Sequence, residues 1–333
     1  MNNVPLVSVC VLTHNFGDYI EDCLKGILSQ KTSYSYEIIV SDDQSTDNTC
    51  DIVRQWQERY PDRIRLHTHS ENVGPNRNCY DLIYLAQGKY IAWLDGDDYW
   101  IDETKLQCDI DALENHSEYS AVHSGWRDVH EATGETRDVL LTPKDWEEKL
   151  FGPEYVAKLI SGERIGCRFS SLVMRKEPVI KYLESDSDIF LNVPHVHPDY
   201  VIFYILSLYG PFHHRKQLTT VYRIRKESLS MTERPAKRYH YVKAFLELIV
   251  HILRQVEVPA PIAHAKLRQL LNAILRYTFY HHLKSDAVHC VRLTQQTGYK
   301  LPLVLRMLYW GSSSKTAYIA LKPIFDLNYL IRG

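Results

Sequence analysis

Four short apolar runs, each closed by a polar cluster, constrain this chain more than anything else in it. Val7 to Leu12, Glu37 to Val40, Ile64 to His67 and Tyr90 to Leu94 alternate with amphipathic stretches up to about residue 120. That alternation is the pattern of parallel strands joined by crossover helices. Between the first two runs, Ile20, Cys23, Leu24, Ile27 and Leu28 share one helical face. Asn48 to Tyr60 repeats the device with Ile52, Val53, Trp56 and Tyr60, and Pro75 to Ala86 repeats it again before Gly88 stops the helix. The expected fold is α/β, a Rossmann-like, mostly parallel sheet flanked by helices. Ligands of such sheets lie outside the carboxyl ends of the strands, so the clusters there are the ones that matter: Thr13-His14-Asn15, Asp42 to Thr49, Glu71 to Gly74, and Asp95-Gly96-Asp97-Asp98.

The last cluster packs three carboxylates into four residues directly after a strand. A concave acidic loop suits a divalent cation held by oxygen ligands; a solvated turn is the competing explanation, since Asp and Gly are ordinary turn residues. In the second cluster Ser45, Thr46 and Asp47 also offer N-capping oxygens to the next helix, whereas Asp42 ends the strand itself. No GxGxxG follows the first strand and no GxxxxGK[ST] occurs. A dinucleotide oxidoreductase and a P-loop phosphotransferase therefore lose their main support.

Composition narrows the setting. Seven cysteines are scattered without a CxxC pair, which argues for reduced thiols and against a disulfide framework or a structural zinc site. The chain enters its first strand almost at once, with no basic-then-apolar leader, and the most apolar stretch, Phe245 to Leu253, carries Glu247 and His251. A cytoplasmic protein is expected. A near-neutral total hides an asymmetry: 24 basic against 37 acidic residues before Arg234, and 15 against 4 from there on. Two regions follow, a domain over 1–233 and a basic helical region over 234–333.

The segments SVCVLTHN, EIIVSDDQSTDNT, ENVGPNRN, GKYIAWLDGDDYW, HPDYVIFYILSLYG and LTTVYRIRKESLS, spread over roughly residues 5 to 231, resemble the inverting family 2 glycosyltransferases, which have a type A glycosyltransferase fold. The resemblance implies roles. Thr13 and Asn15 would line the base and ribose pocket, Asp42 would accept from the uracil of a UDP-sugar, and Arg77 looks like the basic residue near the nucleotide. Asp95 and Asp97 are similar to the family's DxD pair, Asp95 toward ribose and diphosphate, Asp97 with Asp98 toward Mn2+ or Mg2+. Asp199 falls where the family has its catalytic base, although an Asp after Pro198 also suits a helix start. Arg225 stands where many members have histidine; it cannot ligate a metal but can fork onto a diphosphate.

These residue types match the chemistry. A cation neutralises a diphosphate leaving group, and one carboxylate that takes the acceptor's proton is worth typically 10²- to 10⁴-fold. The implied function is transfer of a hexose or N-acetylhexosamine from a UDP-sugar to a glycan hydroxyl with inversion, in a bacterial surface polysaccharide such as O-antigen or capsule. A sugar nucleotidyltransferase would want a Gly-rich basic loop in place of His14-Asn15-Phe16-Gly17; a non-catalytic nucleotide-sugar scaffold is the other alternative. His195, His197 and the His213-His214 pair are conceivable metal ligands.

Beyond the resemblance, helices are expected at Tyr241 to Gln255, Ile262 to Leu283, Val288 to Thr297, Leu301 to Trp310 and Ala317 to Tyr329. Their mixture of basic, aromatic and leucine residues suits peripheral contact with the anionic inner face of the cell membrane and a lipid-linked acceptor. Simple packing on the acidic domain is the alternative; no nucleic-acid motif accompanies the charge.

Overall fold

The computed structural model describes residues 4–141, 150–162, 167–192, 197–225 and 235–330. The first part alternates as expected: β1 (Val7–Thr13), α1 (Ile20–Leu28), β2 (Tyr36–Asp42), α2 (Thr49–Arg59), β3 (Ile64–Thr68), α3 (Pro75–Leu85), β4 (Tyr90–Asp95), a two-residue β5 (Tyr99–Trp100) and α4 (Lys105–Asn115). β1 pairs in parallel with β2 and β4, and β2 with β3. Every residue of β1 is buried, as a central strand covered on both faces requires. Its Val7, Val9 and Val11 pack with Ile20, Leu24 and Ile27 of α1 in one core cluster.

The chain then builds a second half that the apolar pattern did not announce. It comprises β6 (Ala121–His130), β7 (Thr136–Val139), α5 (Gly152–Ser161), a 3-10 turn at Phe169–Ser171, β8 (Val173–Arg175), α6 (Lys176–Ser185), α7 (Asp188–Leu191), α8 (Pro198–Ser207) and β9 (Phe212–Ile224). The sheet order is β3-β2-β1-β4-β8-β6-β9-β5, with β7 beside β6. β8 runs antiparallel to β4 and β6, β5 antiparallel to β9, and β6 parallel to β9. The parallel sheet is thus the amino-terminal half of a mixed one. Two glycines sit where backbones touch: a Cβ on Gly26 of α1 would lie 2.8 Å from the Trp100 carbonyl oxygen, and one on Gly96 would lie 3.1 Å from that of Leu12.

Two compact units result, Met1–Leu159 with Arg164–Met231, and Ile160–Glu163 with Thr232–Gly333. The second is helical: α9 (Pro235–Gln255), α10 (Ala260–His281), α11 (Lys284–Gln295), α12 (Leu303–Ser313) and α13 (Lys315–Leu330). Leu246, Ile249, Leu271, Ile274, Phe279 and Leu308 are fully buried there. His282 ends α10 in the left-handed region, its N–H bonded to the Thr278 carbonyl. Among the described residues no helix is long and apolar enough to cross a membrane. All seven cysteines are free thiols, four of them buried.

Candidate active site

The strand ends of the sheet's parallel half are tied together by their own side chains. Asp42 and Asp43, the last of β2 and its successor, are both buried. Asp42 accepts from the Ser45 amide at 2.8 Å and from the Ser45 hydroxyl. Asp43 accepts from the Val73 and Gly74 amides at 2.7 and 2.9 Å, so one carboxylate holds the loop ahead of α3, where Gly74 has φ 83°. Asn15, in the left-handed region at φ 56°, accepts from the Thr46 amide at 2.7 Å while its own amide donates to Ser45 Oγ at 2.7 Å. Thr13 Oγ1 is buried with no hydrogen-bond partner among the described residues. Arg77 does not join this group. Its Nε donates to both oxygens of Asp81, at 2.9 and 3.0 Å, one helical turn away on α3, and the side chain is half exposed.

The acidic loop leaves β4 by a turn in which the Asp98 amide donates to the Asp95 carbonyl at 2.9 Å. Three neighbours then divide its carboxylates. Asp98 is sealed from solvent, one oxygen taking the Ser170 hydroxyl at 2.5 Å and the other the Arg223 amide at 2.9 Å. Asp97 is held by Arg225, with Nη2 at 2.7 Å and Nε at 3.0 Å. The Asp95 carboxylate accepts a long bond from Ser170 Oγ, 3.3 Å, and is partly open. Burial, Asp97 and Asp199 together push its carboxyl up to about 7, with Arg168 opposing. Burial and its acidic neighbours also raise Asp98 well above the usual carboxylate range. Asp199, in the first turn of α8, is half-buried, its Oδ1 taking the Tyr200 amide at 2.7 Å. It reaches Asp95 as a neighbouring charge. The loop, Asp199, Arg168 and Arg225 are therefore one electrostatic cluster.

The sequence model of glycosyl transferase family 2 matches residues 8–183, more than half of the chain. The chain belongs to that family. Among curated relatives, the glycosyltransferase TuaG of Bacillus subtilis, named for teichuronic acid biosynthesis, is 38% identical over 113 residues, 34% of this chain and 44% of its own. The chain spans about half the length of the curated relatives it matches, or less. Among solved structures, S. aureus TarS 1–349 in complex with UDP-GlcNAc superposes with a TM-score of 0.57 at 16% identity, covering 92% of this chain and 79% of that one. The mannosyltransferase PcManGT of Pyrobaculum calidifontis, in complex with GDP-Man and Mn2+, gives 0.50 at 18%, covering 96% and 87%. At these identities the superpositions establish the glycosyltransferase fold.

Several side chains around the acidic loop escaped the sequence analysis. Ser170 sits in the 3-10 turn and bonds both Asp95 and Asp98. Arg223 anchors the Asp97 carbonyl at 2.7 Å and Asp22 at 2.6 Å, over the rings of Tyr19 and Tyr99. Arg223 and Arg225 are two apart on an extended strand end, so both reach the same side; that period was the available signal. Nothing in the local pattern marks Ser170. Among the described residues no three His, Cys, Asp or Glu side chains converge on one cation position. His213 stacks on Tyr119 and His214 lies beside His123, away from the loop; His195 lies outside the described residues.

Proposed function

We propose that this glycosyltransferase moves a hexose or N-acetylhexosamine from a UDP-sugar to a hydroxyl of a glycan acceptor, with inversion, in surface polysaccharide assembly. The observation that carries the reading is the convergence of the Asp95–Asp98 loop, Asp199 and two arginines at the carboxyl ends of the sheet. Thr13, Asn15 and Asp42 would border the base and ribose; the orphaned Thr13 hydroxyl favours a ligand there. Asp95, the least committed carboxylate, would accept from the ribose. Asp199 would take the acceptor's proton as its oxygen attacks the anomeric carbon opposite the diphosphate, a single displacement that inverts configuration. Arg225 would pair with the diphosphate, whereas Arg77, clasped by Asp81, is the weakest member of the set.

The donor set would suit a hard divalent cation such as Mn2+ or Mg2+, with oxygen ligands and carboxylates crowded closely enough to raise the proton affinity of Asp95 and Asp98. Asp97, which pairs with Arg225 here, would be its ligand once that arginine turns to the diphosphate. Asp98 is sealed by Ser170 and Arg223 and would shape the loop more than hold the ion. With so few protein ligands, the donor's phosphates and water would complete the shell, the habit of Mg2+ sites. When bound, the cation would neutralise the charge that grows on the leaving diphosphate. The name of TuaG supports a polysaccharide acceptor. We further place the acceptor on a lipid at the anionic inner face of the membrane, met by the basic helical unit.

The test is a calorimetric titration with UDP, GDP and dTDP, each with Mn2+ and with a chelator. UDP should bind with Mn2+ and lose affinity on chelation, and Asp199→Asn should cut transfer by about 10²- to 10⁴-fold while sparing UDP. Failure of all three nucleotides to bind would overturn the donor assignment, and nucleotide binding without any transfer would move the chain to the scaffold class.

A further inference from the structure

We propose that the outward face of α12 and α13 docks on a bilayer by placing apolar side chains between anionic lipid headgroups. This rests on the membrane contact put forward above and gives it a surface. Among the described residues, Leu303, Val304, Trp310, Ile319 and Ile324 are large apolar side chains standing 67, 50, 54, 63 and 49% exposed on these two helices; the others lie scattered between Val4 and Tyr209. Their placement is periodic. Leu303, Met307 and Trp310 follow one another at i, i+4 and i+7 along α12, while Leu305 and Leu308 turn inward and are buried. On α13, Lys315, Ile319 and Lys322 repeat the i, i+4, i+7 spacing on an exposed line, with Phe325 turned inward.

The charge around this face selects its occupant. Between residues 296 and 326 stand Lys300, Arg306, Lys315 and Lys322, and one acidic residue, Asp326, which is bound by Tyr280 at 3.0 Å and 3.9 Å from Lys322. A second copy docked by two-fold symmetry would set this basic face against itself. An anionic lipid surface instead receives both features, lysine and arginine at the headgroups and Leu303 and Trp310 below them, with the indole at the boundary. Apolar patches of this kind mark docking surfaces. With no helix among the described residues able to span the bilayer, the contact would be reversible.

The full chain should float with vesicles of phosphatidylglycerol and phosphatidylcholine but not with phosphatidylcholine alone, and Trp310 fluorescence should be quenched by brominated lipid. Leu303→Ser with Trp310→Ser should lower vesicle affinity about tenfold or more at every salt concentration. Arg306→Glu with Lys315→Glu should lower it chiefly at low salt. Because all four positions are exposed, each variant should retain the parent's UDP binding. Equal flotation with neutral vesicles, no flotation with anionic ones, or unchanged flotation of the Leu303/Trp310 variant would overturn the proposal, as would a parent dimer that this variant dissolves. Loss of UDP binding by the parent with flotation intact would sink the donor assignment and leave the docking surface standing.

Discussion

At the residue scale, the acidic loop is a set of three carboxylates with three different fates. Asp98 is internal mortar, Asp97 is shared with Arg225, and Asp95, partly open to solvent, has its affinity for a proton raised to about 7. A ligand that needs Asp95 as a carboxylate must expel that proton. Affinity for UDP with Mn2+ should therefore rise with pH, by up to about tenfold per unit below 7, and level off above it. Asp95→Asn should flatten the profile; a parent whose affinity is pH-independent between 5 and 8 would refute the assignment. The acidic positions were legible because three carboxylates in four residues is rare after a strand. Ser170 was not, because its role exists only once a turn 72 residues further on folds beneath Asp98.

At the element scale, the 3-10 turn that carries Ser170 is held by a buried ionic network. Lys105, fully buried at the start of α4, donates to the Ser171 carbonyl at 2.8 Å and to Asp109 at 2.6 Å; Arg215 of β9 takes the other Asp109 oxygen at 2.6 Å. The Trp100 indole donates to the Ser170 carbonyl at 2.9 Å. Burial lowers the Lys105 pKa despite its partner. Asp109→Leu strands two cations, one of them wholly buried, and should cost about 3–5 kcal/mol. Asp102→Asn, which loosens only a part-exposed contact with Arg215 at 3.3 Å, should cost about 1 kcal/mol. Urea unfolding of the two variants checks the contrast. The same elements mark where sequence legibility stopped. β1, β2 and β4 carry near-continuous apolar runs and β3 an alternating one, IRLHT, so they declare themselves, whereas β9 reads FHHRKQLTTVYRI and owes its extended form to β5 and β6 beside it.

At the scale of the whole molecule, stability should bend with pH through a histidine pair far from the acidic loop. His123 and His214 face each other at 3.4 Å where β6 meets β9, and burial lowers both pKa values, His214 to about 4. The unfolded chain, titrating near 6.5, takes up protons first as pH falls, so stability present above about 6.5 is lost toward 4. His214→Gln should shrink the fall in urea midpoint between pH 7 and pH 5; an unchanged fall would clear the pair of that role. The strand-end loops invite a last deduction. Asp43 clasps the Val73 and Gly74 amides, and Asn15 clasps Thr46, before any ligand arrives. A nucleotide entering there, as proposed, would meet a wall already standing, so little conformational entropy would be left to lose on binding, and recognition at this end would be a matter of fit to a rigid mould.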